Sequence, residues 1–141
     1  MYGDTEAIRG LARTMHSQGE ALRSQAEALL ARAEAVPWEG LAADAMRLRV
    51  REQVASLRRT AGLADDAAVA LARHADEVDR LKALIAAIER KAMALVAAAR
   101  DRLAGLVASM LPDPLDELLD RFVPPPPGHR DWLLVDLPGL P

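Results

Sequence analysis

The chain has 141 residues, 51% of them hydrophobic, a formal charge of −3 and no Cys. That length allows one domain, or one domain with a tail. The weak negative charge gives no general drive toward nucleic acid or acidic membranes, and the lack of Cys excludes disulfides, thiol nucleophiles and thiolate metal sites.

Much of the apolar content is alanine, the strongest helix former and a poor source of buried area. Aromatics make up only 3% of the chain and β-branched residues are few, so the composition predicts an all-α protein with thin, elongated packing. The opening "MYGDTEAIRG" has no basic stretch followed by an apolar run, so no secretory signal peptide is expected. No run approaches the ~18 apolar residues of a membrane span, and the nearest, Lys91 to Arg100, is far too short.

Asp4 is placed to cap a first helix, with Glu6 in its first turn. Ile8, Met15, Leu22 and Leu29 recur every seven residues, beside a column of small residues at Ala12, Gly19, Ala26 and Ala33. Such a column lets another helix approach closely. The pattern predicts a helix of about 30 residues, ending near Val36 because Pro37 pushes its predecessor out of the α region. Pro37 to Gly40 then forms a turn. A second helix starts at about Leu41, with Gly40 or Glu39 near its N-cap. Its stripe runs through Leu48, Val54, Leu57, Ala61, Ala68, Leu71 and Val78, and on through Ile85, Ala92, Ala99 and Leu106.

No turn residue interrupts this stripe, so one helix to about residue 110 is favoured over a break near Asp76 to Lys82 that folds back a third helix. A helix that long has no partner inside the chain for its distal half, and pairing with another chain is the expected remedy. Asp113 before Pro114 marks a short amphipathic helix to about Phe122. Four prolines then give a stiff extended spacer, followed by an apolar end containing Trp132, Leu133, Leu134, Val135, Leu137 and Leu140. That end either docks on the helices or serves as a recognition segment, for which Trp132, Leu133 and Leu134 are the candidates. The expected organisation is a helical hairpin or coiled-coil domain over 1–111, a short helix over 112–123 and a proline-rich tail over 124–141.

Catalytic and metal chemistry find little footing. His16, His74 and His129 form no helical metal pair, and the His74, Asp76, Glu77 group reads as a solvated helix face. Ser17, Ser24, Ser56 and Ser109 lie in helical sequence without a nucleophile-elbow context, and Gly3, Gly10 and Gly19 form no phosphate loop. No paired-carboxylate arrangement is evident. The expectation is a non-enzymatic protein with no metal, cofactor or small-molecule substrate. Arg47, Arg49, Arg51, Arg58 and Arg59 spread round their helix without interleaved aromatics, which favours a solvated face over a nucleic-acid patch.

The segment "WEGLAADA", with Trp38-Glu39-Gly40 at the turn and small residues after it, resembles the WXG-type helical-hairpin proteins of type VII (ESX) secretion. The likeness is to long actinobacterial members and covers residues 4 to about 80. It implies an antiparallel hairpin that pairs with a second helical protein. Its members are cytoplasmic before export, leave without a cleaved signal peptide, or escort a larger effector. Within that frame Trp38 and Gly40 form the turn, the indole closing the open end of the seam and donating its N–H to a helix-terminal carbonyl. The partner-binding face comprises Ile8, Met15, Leu22 and Leu29 with Leu57, Leu71 and Val78. Exported members carry a Y-x-x-x-D/E signal after the second helix, whereas the one Tyr here is Tyr2, and "HADEVD" has Val78 where the acid belongs. This points to the role of partner, with the signal on the other chain. A self-associating coiled-coil adaptor and an antitoxin-like binder of a neighbouring toxin are the alternative readings.

Overall fold

The computed structural model describes residues 4–107 and 110–141. Among these the chain is all helical, with α1 over Thr5–Ala35, α2 over Leu41–Ala104, α3 over Pro114–Asp120 and a short 3-10 turn over Arg130–Leu134. It divides into two compact units, Asp4–Asp76 and Glu77–Pro141.

The first unit is an antiparallel hairpin of α1 and the opening half of α2. Asp4 caps α1 as its position predicts, its Oδ1 accepting the amides of Glu6 at 3.0 Å and Ala7 at 3.1 Å. Proline ends α1: Val36 takes an extended conformation, with φ −67° and ψ 123°. The chain reverses through Gly40, whose φ of +105° lies where an L side chain is strained. Its carbonyl then accepts the Asp44 amide and opens α2.

Small residues bring the two helices together. Ala12, Gly19, Ala26 and Ala33 are the buried positions of α1, and Ala43, Val54, Ala61, Ala64, Ala68 and Ala75 are their buried counterparts on α2. The expected column of small residues therefore receives α2 itself. At Gly19 the approach is closest: a Cβ there would stand 2.7 Å from Asp65 Oδ1 and 3.2 Å from the Ala61 carbonyl oxygen. The Arg9–Asp76 ion pair at 2.8 Å and the Arg23–Asp65 pair join the two helices in this antiparallel register.

In the second unit α2 continues unbroken to Ala104 and ends at Gly105. Its distal half does have a partner inside the chain, contrary to the expectation from sequence. Ile85, Ala92 and Ala99 share a core with Leu119 of α3 and with Trp132 and Leu137 of the tail, flanked by Ile88, Leu95, Phe122, Val135 and Leu140. A helix lined by alanine needs bulk from outside to fill its stripe, and the tail supplies it. Trp132, 1% exposed, donates its indole N–H to the Pro126 carbonyl at 3.0 Å and lies tilted against Phe122, ring centres 6.2 Å apart. Polar anchors surround this core. Arg102 grips the buried carboxylate of Asp116 through Nε and Nη2 at 2.7–3.0 Å, Arg100 pairs with Asp120 at 2.9 Å, and Glu89 accepts the Gly128 amide at 3.2 Å. On α3, Asp113 accepts the Leu115 amide and Pro114 starts the helix, as its sequence predicts.

Candidate docking surface

An α-helix turns about 100° per residue, so residues flanking a buried heptad column fall on opposite sides of it. On α1, His16 and Arg9 lie about 40–60° to one side of the Ala12 column, while Ile8, Met15 and Leu11 lie about 40–100° to the other. On α2, Asp65 and Asp76 fall on the first side of the column through Ala61 and Ala68, and Leu57, Ala64 and Leu71 on the second. The two helices run antiparallel, so like sides meet and the hairpin has two distinct faces.

The first face is charged. It carries the Arg9–Asp76, Arg23–Asp65, Arg13–Glu6 and Arg47–Asp44 pairs. An open groove of about 680 Å³ runs along it, floored by Ala12, Ala68 and Ala72 and walled by Arg13, His16, Asp65 and Val69. Asp65 Oδ1 is buried there without a hydrogen bond, with His16 Nδ1 3.7 Å away. The hydrogen bond from Arg23 holds the Asp65 carboxyl below its ordinary range, against the opposing effect of desolvation.

The second face carries no charge along most of its length. On α1 it reads Ile8, Leu11, Met15, Gln18, Leu22, Gln25, Leu29, in steps of three and four. On α2 it reads Val50, Gln53, Leu57, Thr60, Ala64, Ala67, Leu71, His74 in the same steps. Asp4 stands at its open end and Arg32 and Arg49 at its turn end. Ile8, Met15, Leu22, Leu29, Leu57 and Leu71 are all half-buried, and Leu11 is 57% exposed. These side chains cover the alanine seam and still present apolar surface outward. Val78 does not share this exposure: it is buried at the start of the second unit.

The turn differs from expectation in one respect. The indole of Trp38 does not plug the seam but stands 61% exposed. Arg47 does the capping, its Nη2 donating to the carbonyls of Val36 at 3.0 Å and Trp38 at 2.7 Å. A guanidinium reaches two orphan carbonyls of the turn at once, which one indole N–H cannot do. Exposed Leu41 and Leu48 lie beyond Trp38 on the opening turns of α2.

Of the three tail residues singled out for recognition, Trp132 is in the core, Leu133 is partly exposed at 36% and Leu134 is exposed. Tyr2, Gly3 and Ser109 lie outside the described residues. Among the described residues no group of three His, Asp or Glu is arranged to hold a metal ion, and no helix is long and apolar enough to cross a membrane. Two structural contacts were hidden in the sequence, the Arg47 cap and the Gly19 approach. Arg47 was one arginine among five. Gly19 was one small residue in a column, and only the facing Asp65 shows why it has no side chain. No family model, curated protein or solved structure matches the chain.

Proposed function

We propose that this chain is a non-enzymatic hairpin protein of type VII secretion. In this reading it docks through its uncharged face onto a helical partner, a cognate secreted substrate or effector, and serves as that protein's partner or chaperone. The observation that carries the reading is the segregation of charge. Among the described residues, the Arg9–Asp76 and Arg23–Asp65 ion pairs between α1 and α2 sit on one face, leaving an opposite face of Leu, Ile, Met, Gln and Thr that a helical partner covers without burying an unpaired charge. The W-x-G sequence at the turn between two long helices supports the resemblance. No Tyr-based export signal follows the hairpin, so the signal is assigned to the partner.

Co-expression with the proteins encoded beside it tests this. A stable complex with a helical neighbour is expected, lost when Leu22 and Leu57 are replaced by Lys. Secretion of that neighbour is expected to fall when this gene is deleted. If no neighbour co-purifies and secretion is unchanged, the reading fails.

A further inference from the structure

We infer that His16 and Asp65 form a proton-operated clasp across the hairpin, closed in mild acid and open at neutral pH. The clasp lies on the charged face and does not depend on the proposed function. Gly19 makes room for it. Without a Cβ there, the Asp65 carboxylate settles against α1, its Oδ1 2.7 Å from where that Cβ would stand. Arg23 binds Oδ2. Oδ1 is left buried with no donor, and among the described residues it is the one buried side-chain oxygen or nitrogen in that condition. A buried acceptor without a partner is costly, so a donor that reaches it stabilises the fold.

His16 Nδ1 stands 3.7 Å from Asp65 Oδ1, just beyond hydrogen-bonding distance. The His16 side chain is 65% exposed, so its ring can turn toward Asp65 without disturbing the seam. A neutral imidazole carries its hydrogen on one of its two nitrogens, whereas the imidazolium carries one on each. Protonation therefore makes Nδ1 a donor and adds a charge that the carboxylate attracts. The surroundings call for that charge. On α1, Glu6 pairs with Arg13 and Glu20 with Arg23; across the hairpin, Asp76 pairs with Arg9 and Asp65 with Arg23. These ion pairs hold four carboxylates, Glu6, Glu20, Asp65 and Asp76, against three guanidinium groups, Arg9, Arg13 and Arg23. The His16 imidazolium brings the two to balance.

The folded chain offers the imidazolium this partner and the unfolded chain does not. The clasp therefore adds stability in mild acid and loses it as pH rises through about 6.5, the ordinary imidazole value. The same movement draws the His16 wall of the groove toward its Asp65 wall and narrows it.

A double-mutant cycle on the full chain tests the clasp, with His16→Gln, Asp65→Asn and both together. The readout is the opening equilibrium of residues 12–33, from amide hydrogen exchange corrected for the intrinsic rate at each pH. The cycle removes what His74 and His129 contribute and what Asp65 owes to Arg23, and leaves the coupling between residues 16 and 65. At pH 5.5 that coupling should favour the closed hairpin about three- to tenfold, between the effect of an exposed ion pair and that of a charged hydrogen bond. At pH 7.5 it should fall below about twofold. Equal coupling at both pH values, or none at pH 5.5, overturns the inference. Should Asp65→Asn fail to fold, the exposed position 16 decides alone. His16→Gln is uncharged at both pH values and His16→Lys is charged at both. The unmodified chain should gain more protection than either on passing from pH 7.5 to 5.5, and a gain no larger than theirs overturns the clasp. Neither result bears on the docking face, which is tested by the partner complex.

Discussion

Gly19 and Gly62 are both glycines inside long helices, and replacing each by Ala should have opposite results. In a helix interior, Gly→Ala gains about 1 kcal/mol of helix propensity. At Gly62 nothing lies within 4 Å of the added Cβ, so the gain is kept and Gly62→Ala should stabilise the hairpin by about 0.5–1 kcal/mol. At Gly19 the new methyl meets Asp65 Oδ1 at 2.7 Å and the Ala61 carbonyl oxygen at 3.2 Å. Relief at Asp65 requires its carboxylate to rotate out of its hydrogen bond with Arg23, and relief at the Ala61 carbonyl requires a shift of the main chain. Overpacking of this kind costs about 1–3 kcal/mol. Subtracting the propensity gain leaves Gly19→Ala destabilising by up to about 2 kcal/mol. The two variants should therefore differ by about 1–3 kcal/mol, or roughly 4–8 °C per kcal/mol in a domain of this size. Urea unfolding followed by circular dichroism at 222 nm reads the difference directly. Equal stabilisation by both substitutions would refute the close helix approach at Gly19.

Three further outcomes follow from the packing. Trp132→Ala should cost the second unit about 3–5 kcal/mol, read as lost amide protection over residues 85–99 while residues 12–33 keep theirs. Arg47→Ala should destabilise by about 1 kcal/mol through the loss of two carbonyl partners. Trp38→Ala, at an exposed site, should change stability by less than about 0.5 kcal/mol; thermal melts of the two variants distinguish the capping group from the bystander. Asp65 and Asp116 are held below the ordinary carboxylate value of 3.8 by hydrogen bonds from Arg23 and Arg102. A carboxyl depressed in the folded state contributes stability above its unfolded pKa and loses it as pH falls through the folded one. Melting temperature should therefore drop below about pH 4, and Asp65→Asn and Asp116→Asn should each flatten that decline.

The hairpin was legible because its signals are local and repeated. Heptads at Ile8, Met15, Leu22 and Leu29, a capping Asp4 and a proline after Val36 bound α1 to within a residue or two. Asp113-Pro114 did the same for α3. The distal half of α2 was harder to read. Its stripe at Ile85, Ala92 and Ala99 shows a need for cover but not its source, because the contacts to Trp132 and Leu137 join residues some 40 apart through a proline spacer without periodicity. The Trp38 plug failed for a related reason. Sequence identifies an aromatic at a turn, but the competing Arg47 cap depends on where the first turns of α2 point. The uncharged strip was half read, since its large residues stood out while Gln18, Gln25, Gln53 and Thr60, which make it neutral rather than merely apolar, did not.

The split of contacts along α2 bears on how the chain is made. Every partner of the hairpin seam has been synthesised once Asp76 is added, so the first unit has all it needs to fold early. The second core stays open until Trp132, Leu137 and Leu140 emerge. During that interval Ile85, Ile88 and Leu95 stand uncovered on a helix already nucleated by the hairpin, in a nascent chain that meets chaperones and neighbouring copies before its own tail arrives.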